Sequence, residues 1–296
     1  MNFKCFRLVI CLLGLTFCLS SCEKYDLGGL FSGASPRADQ RFEDSQRYNL
    51  THTPDTILAP ADAYRLYVCG DTHIEHSRNN WETFISTYRQ DLLCPLAIHL
   101  GDIINAQNHW QFAYEPLVTI PHPADKADTL MTVVGNHDLY FKQWTDYKHY
   151  FHTSTYCFVM LTPSGSSDLF IMLDSGEGTL GEKQLAWFKQ VLAWAKSQPF
   201  RHRFVCTHTN FFMEDWSQST TSNYALEETY YLLNLCSESG VDYVLTGHDH
   251  HHCTTRWNDC LYITLDALED AAPQASFLLM TVSTQVAYDF LSRTGK

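Results

Sequence analysis

Five apolar runs, each followed at once by a short polar motif, constrain the fold of this 296-residue chain more than any other feature. The runs have the length and the apolar character of buried strands. Because ligands in α/β proteins bind outside the carboxyl ends of the strands, we expect the five motifs to converge on a crevice at one edge of a sheet. The motifs are Gly70-Asp71-Thr72-His73, Gly101-Asp102, Gly135-Asn136-His137-Asp138, Thr207-His208 and Gly247-His248-Asp249-His250.

The side chains of these motifs are of the kinds that bind metal ions. Carboxylate and amide oxygens and imidazole nitrogens suit divalent cations, and two such ions about 3.5–4 Å apart need a carboxylate between them. Asp102 is the natural bridge. The candidate ligands that lie two residues apart point the same way at the end of a strand. The ligands are Asp71, His73, Asp102, Asn136, His208, His248 and His250.

Each motif also has a simpler explanation when it is read alone. An Asp-x-His sequence occurs by chance in most chains of this size, and the tract 248–252 is also typical of a solvated loop or a surface metal-binding run. The repeated placement after strand-like runs favours a built site, since chance does not produce it five times.

As a set, the motifs resemble the pattern of the calcineurin-like metallophosphoesterase superfamily, over roughly residues 65–296. That pattern is Asp-x-His, Gly-Asp-x-x-Asp, Gly-Asn-His-Asp/Glu, a lone His after a strand, and Gly-His-x-His. The resemblance implies a four-layer αββα fold, in which two mixed β-sheets pack as a sandwich flanked by helices. It also implies that Asp71, His73, Asp102 and His250 hold one ion, and that Asp102, Asn136, His208 and His248 hold the second.

A pair of metal ions predicts the chemistry. A water or hydroxide that bridges two cations has a lowered pKa and attacks a bound phosphorus without a side-chain nucleophile. His137 follows the ligand Asn136 and is the candidate to protonate the departing alkoxide, although a purely hydrogen-bonding role beside the ligands is the alternative. We expect Asp138 to support the ligands from behind or to cap the turn.

The second motif departs from the family pattern at its last residue. Gly-Asp-Ile-Ile-Asn at 101–105 ends in Asn105, where relatives have an aspartate. By the resemblance, that aspartate is not a metal ligand and pairs with the histidine that corresponds to His137. The departure therefore concerns the tuning of His137 and leaves the metal ligands unaffected.

The N-terminus predicts where the protein is located. Lys4 and Arg7 precede an apolar stretch of 12 residues, 8–19, which is shorter than the about 20 residues that span a bilayer. Leu19-Ser20-Ser21-Cys22 resembles a bacterial lipobox, which implies a lipoprotein signal peptide over 1–21 and a lipid anchor on Cys22. We therefore expect a protein of the bacterial cell envelope, held to a membrane by lipidated Cys22 and facing the periplasm or the cell surface.

The rest of the chain is interpreted as a tether and one domain. Residues 22–63 contain glycine, proline and charged residues with little periodicity, which predicts a flexible tether. An edge strand around 41–50 is the alternative for its later part. Residues 64–296 suit one α/β domain, with helices predicted over 80–93, 181–197 and 227–239. Further strands are predicted over 169–173, 261–265, 277–282 and 285–290.

The net charge limits the possible binding partners, and the cysteine content limits the possible disulfides. The formal net charge of −13 argues against bulk nucleic-acid binding, which relies on Lys and Arg. A small phosphate ester held by metal remains compatible with this charge. Seven cysteines follow the leader and anchor, and this odd number without regular spacing argues against a disulfide framework. A bridge between Cys253 and Cys260 across a predicted hairpin is left open.

Together these features favour a lipid-anchored, dinuclear metal-dependent phosphoesterase, with a catalytically silent binding lipoprotein of the same fold as the alternative. The intact ligand set, Asp102 included, favours the enzyme. The ligands accept manganese, iron or zinc. Residues 106–109 lack the arginine with which protein-phosphatase relatives hold a dianionic phosphate, which tilts the expected substrate toward diesters, nucleotide derivatives or lipid headgroups. Arg78 and Arg256 are the arginines that another loop could supply.

Overall fold

Two mixed β-sheets form the centre of the protein in a computed structural model that describes residues 35–123, 129–213, 216–221 and 223–293. The predicted signal peptide and Cys22 lie outside these residues. One sheet has the strand order β1-β5-β6-β7-β10-β12-β11 and the other β14-β13-β2-β3-β4, while β8 and β9 form a separate hairpin. The strands are β1 (Thr56–Leu58), β2 (Tyr64–Cys69), β3 (Leu96–His99), β4 (Leu130–Thr132), β5 (Tyr156–Leu161), β6 (Ser167–Met172), β7 (Arg203–Cys206), β8 (Phe212–Met213), β9 (Trp216–Thr220), β10 (Tyr243–Thr246), β11 (Cys253–Trp257), β12 (Cys260–Thr264), β13 (Ser276–Val282) and β14 (Val286–Ser292).

Helices cover the outer face of each sheet. Three of them match predicted segments within a few residues, and each predicted segment has apolar side chains at the three- and four-residue spacing of a buried helix face. The α-helices are α1 (Ser35–Asn49), α2 (Asn79–Gln90), α3 (Trp110–Thr119), α4 (Trp144–Phe151), α5 (Gly181–Lys196) and α6 (Leu226–Glu238), and a kinked 3₁₀ segment covers His137–Lys142.

Three apolar clusters hold the layers together. The central cluster fills the space between the sheets, where the rings of Phe158, Phe170 and Phe204 stack with centroid distances of 5.1 and 4.6 Å. A second cluster packs α5 and α6 on the seven-stranded sheet, and a third packs α2, α3 and α4 on the five-stranded sheet. The order helix, sheet, sheet, helix confirms the predicted four-layer α/β sandwich.

The five motif strands do not belong to one sheet, so the prediction of a single sheet edge is wrong. Strands β2, β3 and β4 are neighbours in the five-stranded sheet, whereas β7 and β10 are neighbours in the seven-stranded sheet. All pairs within each set are parallel, so each set carries its motifs at one end. The two ends meet across the sandwich, and the crevice therefore lies between the sheets.

The sequence predicts a tether over 22–63 and an edge strand around 41–50, but Ser35–Asn49 form helix α1, so both predictions are wrong for these residues. Helix α1 packs on α5, and the guanidinium of Arg41 is buried against Asp174, with Nε and Nη2 donating to the two carboxylate oxygens at 2.6 and 3.1 Å. Breaking a buried ion pair of this kind by removing one partner is strongly destabilising, by about 3–5 kcal/mol. The chain is thus folded from Ser35 onward in the described region, earlier than residue 64.

The register of the β11–β12 hairpin separates Cys253 from Cys260. Cys253 lies opposite Thr264 and Cys260 lies opposite Trp257 in the β11–β12 ladder, so the two cysteines do not face each other. A disulfide needs Cα atoms within about 7 Å, which this register does not give.

Among the described residues, no helix combines the length and the apolar character needed to cross a membrane.

Candidate metal centre

The loops that follow the motif strands turn through backbone conformations that L-residues rarely adopt. Positive φ angles are found at Asp71 (52°), His73 (41°), Asp102 (55°), His248 (74°) and His250 (64°). A left-handed conformation costs a residue other than glycine roughly 1–2 kcal/mol, and such strain persists where surrounding structure enforces it. Five of the seven candidate ligands therefore share a strained backbone that turns their side chains into the crevice.

The first group of candidate ligands consists of Asp71, His73 and His250. The Nε2 atoms of the two histidines lie 3.0 Å apart. The Oδ1 atom of Asp71 lies 3.5 Å from His250 Nε2 and 4.0 Å from His73 Nε2. One potential ligand atom from each side chain thus faces the same small space.

The second group consists of Asp102, His208 and His248, with Asn136 beside them. His208 Nε2 lies 3.1 Å from His248 Nδ1 and 2.9 Å from Asn136 Oδ1. Because His208 Nδ1 donates to the carbonyl of Leu100 at 2.9 Å, its Nε2 carries the free lone pair. A main-chain carbonyl outside the site therefore orients the ring for metal ligation.

Asp102 lies between the two groups. Its Oδ1 accepts the backbone N–H of His137 at 2.8 Å, which fixes the plane of the carboxylate. Its Oδ2 lies 3.7 Å from His73 Nε2 in the first group and 3.5 Å from His208 Nε2 in the second. One oxygen therefore faces both sets of candidate ligands.

Burial sets the charges of these groups. Burial lowers the pKa of His73 to about 3 and that of His248 to about 4, so both rings are neutral at neutral pH, as metal ligation requires. Burial, together with the nearby charges of Asp71 and Asp138, raises the pKa of Asp102 well above its usual range. Burial also opposes the ionisation of Asp71, but the hydrogen bond from His250 and the electrostatic effects of His208, His250 and His73 together outweigh it and lower the pKa of Asp71.

These residues fit metal ions. In the second group, the lone pair of His208 Nε2 lies 2.9 Å from Asn136 Oδ1, which is the distance of a hydrogen bond, although neither atom has a proton to donate. In the first group, two imidazole nitrogens lie 3.0 Å apart beside a carboxylate. A cation satisfies such an arrangement, and mixed carboxylate, amide and imidazole ligands suit manganese, iron or zinc.

Asp138 supports the site from behind. Its carboxylate accepts the backbone N–H groups of Asp102 and Ile103 at 2.9 Å each, of Ile104 at 3.3 Å and of Gly135 at 2.9 Å. Burial raises the pKa of Asp138 to about 6, and these N–H groups act in the opposite direction. One carboxylate thus ties the loop after β3 to the loop after β4.

His99 has a related role that the sequence reading missed. Its Nδ1 accepts the N–H of Gly101 at 3.1 Å, and its Nε2 donates to Thr72 Oγ1 at 3.0 Å. Thr72 in turn donates to the carbonyl of Ile103 at 2.9 Å. Burial lowers the pKa of His99 to about 3, so the ring stays neutral. The available signal was a histidine inside the apolar run 96–100.

His137 lies at the open side of the site. Its ring centroid is 4.5 Å from that of His73, and one of its ring nitrogens lies close to Asp102 and His73. Its Nδ1 donates to the main-chain carbonyl of Asn105 at 3.1 Å, while the Asn105 amide donates to Glu75 at 2.7 Å. The main chain of residue 105 therefore orients His137, and the side chain of Asn105 is directed elsewhere.

His109, His251 and His252 are among the described histidines that lie outside the ligand groups. His252 pairs with Asp266 at 2.9 Å and stacks on Phe290. His251 is exposed, and His109 precedes α3.

Glycines make room for the two carboxylates. A Cβ atom on Gly135 would lie 2.1 Å from Asp102 Oδ1, and one on Gly247 would lie 2.3 Å from Asp71 Oδ2. At Gly70 the closest atom would be Leu100 Cβ at 3.4 Å, which is an ordinary contact. The close approach of backbone to carboxylate, more than backbone freedom, requires glycine at 135 and 247.

The fold and the site together define the class of protein to which this chain belongs. Two packed mixed sheets, whose strand ends meet around carboxylates and imidazoles, form the architecture of metallophosphoesterases. The sequence model of the calcineurin-like phosphoesterase family matches residues 64–252, and the chain belongs to that family. Members of the family typically bind divalent metal ions.

Two solved structures share the fold. GAP50 of Plasmodium, described as the anchor in the inner membrane complex, has a TM-score of 0.56 and 18% sequence identity, over 79% of this chain and 86% of GAP50. Purple acid phosphatase PPD1 from yellow lupin seeds has a TM-score of 0.56 and 15% identity, over 81% of this chain and 52% of the lupin protein. This chain thus spans about half of the lupin protein. No curated protein matches the sequence.

The Gly247→Ala variant is expected to bind Mn²⁺ at least about tenfold more weakly than wild type, because its Cβ displaces the Asp71 carboxylate. Isothermal titration calorimetry measures the affinity, and thermal unfolding checks that the variant is folded. Gly70→Ala is the matched control from the same rim of the site and is expected to keep wild-type affinity. Equal affinities for the two variants would contradict this account of the glycines.

Proposed function

We propose that this protein is a phosphoesterase that binds two metal ions and hydrolyses small phosphate mono- or diesters. The observation that carries the proposal is the position of Asp102 Oδ2, within 3.7 Å of an imidazole nitrogen in each ligand group. The first ion would be held by Asp71, His73, Asp102 and His250, and the second by Asp102, Asn136, His208 and His248. Manganese, iron and zinc all suit this set.

The chemistry divides between the ions and the chain. When bound, two such ions lower the pKa of a water between them and neutralise charge on the phosphate oxygens. The chain holds the ligands in a preformed geometry, because the His208 ring and the Asp102 carboxylate are each fixed by a main-chain hydrogen bond. Little reorganisation is then needed as charge develops during the reaction.

His137 is the proposed general acid. Its Nδ1–H is held by the carbonyl of Asn105, which leaves Nε2 as the nitrogen that can exchange a proton with a leaving oxygen. In relatives an aspartate at position 105 is expected to make this imidazole more basic. In this chain the main-chain carbonyl of Asn105 takes that place and orients the ring.

A catalytically silent binding protein of the same fold is the second candidate function. The observation that favours it is the likeness to GAP50, which is described as an anchor and shares the fold over 79% of this chain. The presence of every candidate ligand, together with its oriented hydrogen bonds, favours the phosphoesterase.

The substrate is proposed to be a diester, a nucleotide derivative or a lipid headgroup. The two arginines considered for a dianionic phosphate both have other partners. Arg78 pairs with Glu82 and Glu115 and stacks on Phe112, and Arg256 donates to the carbonyl of Asp259. We further propose, on the lipobox alone, that lipidated Cys22 holds the enzyme at the bacterial cell envelope.

Asp102→Ala is expected to abolish paired metal binding and to reduce turnover of p-nitrophenyl phosphate and its bis ester by at least about a thousandfold, since the shared ligand is lost. Metal content of the isolated protein and steady-state kinetics measure the two effects. Asp289→Ala, which removes an exposed carboxylate on β14, is the control. Wild-type activity in Asp102→Ala would refute the two-metal mechanism. Wild type that binds two equivalents of metal and hydrolyses neither ester would favour the silent binding protein.

His137→Ala is expected to slow hydrolysis of alkyl esters by about 10²–10⁴-fold and that of p-nitrophenyl esters by roughly tenfold or less, because nitrophenolate leaves without a proton. The ratio of the two losses in kcat is the measurement. The control is His76→Ala, which changes an exposed histidine at the rim. Equal losses for both leaving groups would exclude an acid role for His137.

A further inference from the structure

The segment that follows Asn136 presents two aromatic residues in a strained turn. Within His137–Lys142 the helical path breaks at Tyr140 (φ −56°, ψ 147°), and Phe141 and Lys142 then have φ angles of 56° and 67°. A bulky residue other than glycine rarely adopts positive φ, and such strain is a reason to look for a function.

Both aromatic rings are exposed at the rim of the metal centre. The side chain of Phe141 is 71% exposed and that of Tyr140 is 45% exposed. A single exposed apolar residue is ordinary, but here two consecutive rings lie three and four residues after the proposed general acid, His137. The turn therefore places an apolar surface where a substrate would leave the site.

Tyr140 is in contact with both of those functional residues. Its hydroxyl oxygen accepts the Asn136 amide N–H at 2.9 Å, which turns the amide oxygen toward His208. Its ring centroid lies 4.7 Å from that of His137 at an interplanar angle of 45°. The position of Tyr140 is therefore fixed relative to the atoms that would hold and protonate the substrate.

The two neighbours of His137 define the direction of the leaving group. His73, a candidate metal ligand, flanks His137 with a centroid distance of 4.5 Å, and Tyr140 flanks it at 4.7 Å. A phosphate held at the metal centre lies toward His73. A leaving oxygen that receives its proton from His137 would carry its substituent away from the metal centre, on the side of Tyr140, which Phe141 follows in the chain.

We propose that Tyr140 and Phe141 form a subsite for a planar aromatic ring in the leaving group of the substrate, an inference that rests on the proposed phosphoesterase function. Ring-to-ring contacts favour an aromatic group over a saturated one of the same size. Aryl-alkyl groups and nucleobases share this chemistry. The subsite selects among substrates, and it leaves the hydrolytic step to the metal centre and His137.

The test compares ligands that differ only in aromaticity. Benzylphosphonate and cyclohexylmethylphosphonate are titrated into Mn²⁺-loaded protein by calorimetry, and hydrolysis of the corresponding benzyl and cyclohexylmethyl phosphate esters is measured in parallel. The two leaving alcohols are both primary and match in size, so a difference in KM reports the ring. Uridine 5′-phosphate against ribose 5-phosphate extends the comparison to a nucleobase.

The variants distinguish the effect of losing the aromatic ring from a general effect on folding. Phe141→Leu keeps an apolar side chain in the turn and removes the ring, while Tyr140→Phe keeps the ring and removes the hydroxyl. Tyr230→Leu removes a 43% exposed aromatic side chain on α6, where its ring contact is with Trp257, and Tyr140 has a similar exposure of 45%. Tyr230→Leu is expected to retain wild-type selectivity.

Wild type is expected to prefer the benzyl ligand about fivefold, in dissociation constant and in KM, and Phe141→Leu is expected to lose that preference. Tyr140→Phe is expected to keep it. If wild type prefers uridine 5′-phosphate to ribose 5-phosphate and Phe141→Leu loses that preference, the subsite is assigned to nucleobases. If wild type shows a preference only within the benzyl and cyclohexylmethyl pair, the subsite is assigned to aryl groups. Equal binding of both phosphonates by wild type, or an unchanged preference in Phe141→Leu, would overturn the subsite. Selective phosphonate binding without hydrolysis of any ester would refute the proposed function and leave the subsite standing.

Discussion

The structure depends on the burial of three carboxylates at the meeting point of two sheets. Asp71, Asp102 and Asp138 are each at most 1% exposed. Burying a charge is costly unless it is paired, so each carboxylate needs partners. Asp138 has four backbone N–H groups, and Asp71 has the N–H of His248. The remaining lone pairs face the imidazoles, and a pair of cations is the partner that completes them.

The rest of the fold brings those carboxylates together and keeps them in place. Two sets of parallel strands end at the same crevice from opposite sheets, and the central apolar cluster, which contains residues of both sheets, packs the two sheets together. Glycines at 135 and 247 let backbone pass close to the carboxylates. His99 and Asp138 then join successive loops by hydrogen bonds. The strain in the ligand backbone is sustained by these contacts, as expected where a site is formed before its ligand arrives.

Much of this could be predicted from the sequence, because the relevant signals are local. The five apolar runs mark the motif strands, and the periodicity of residues 181–197 marks α5. The assignment of strands to two sheets is not local, since strand order depends on long-range pairing that a run of apolar residues does not encode. The resemblance to the family supplied the two-sheet architecture, but it did not supply the assignment of the motif strands to the two sheets.

Helix α1 and the supporting residues escaped prediction for related reasons. The α1 sequence is largely polar, and it is held by Arg41 on Asp174, 133 positions away, a contact that periodicity does not reveal. His99 belongs to an apolar run, where a histidine has no distinguishing pattern. The orientation of His137 by the carbonyl of Asn105 involves main chain, so the identity of the side chain at 105 does not report it.

The central claim is that two metal ions share Asp102, and anomalous diffraction from a crystal grown with Mn²⁺ tests it most directly. The account predicts two anomalous peaks about 3.5–4 Å apart, with an oxygen of Asp102 within bonding distance of both. A single peak, or two peaks with no carboxylate oxygen of Asp102 between them, would contradict it.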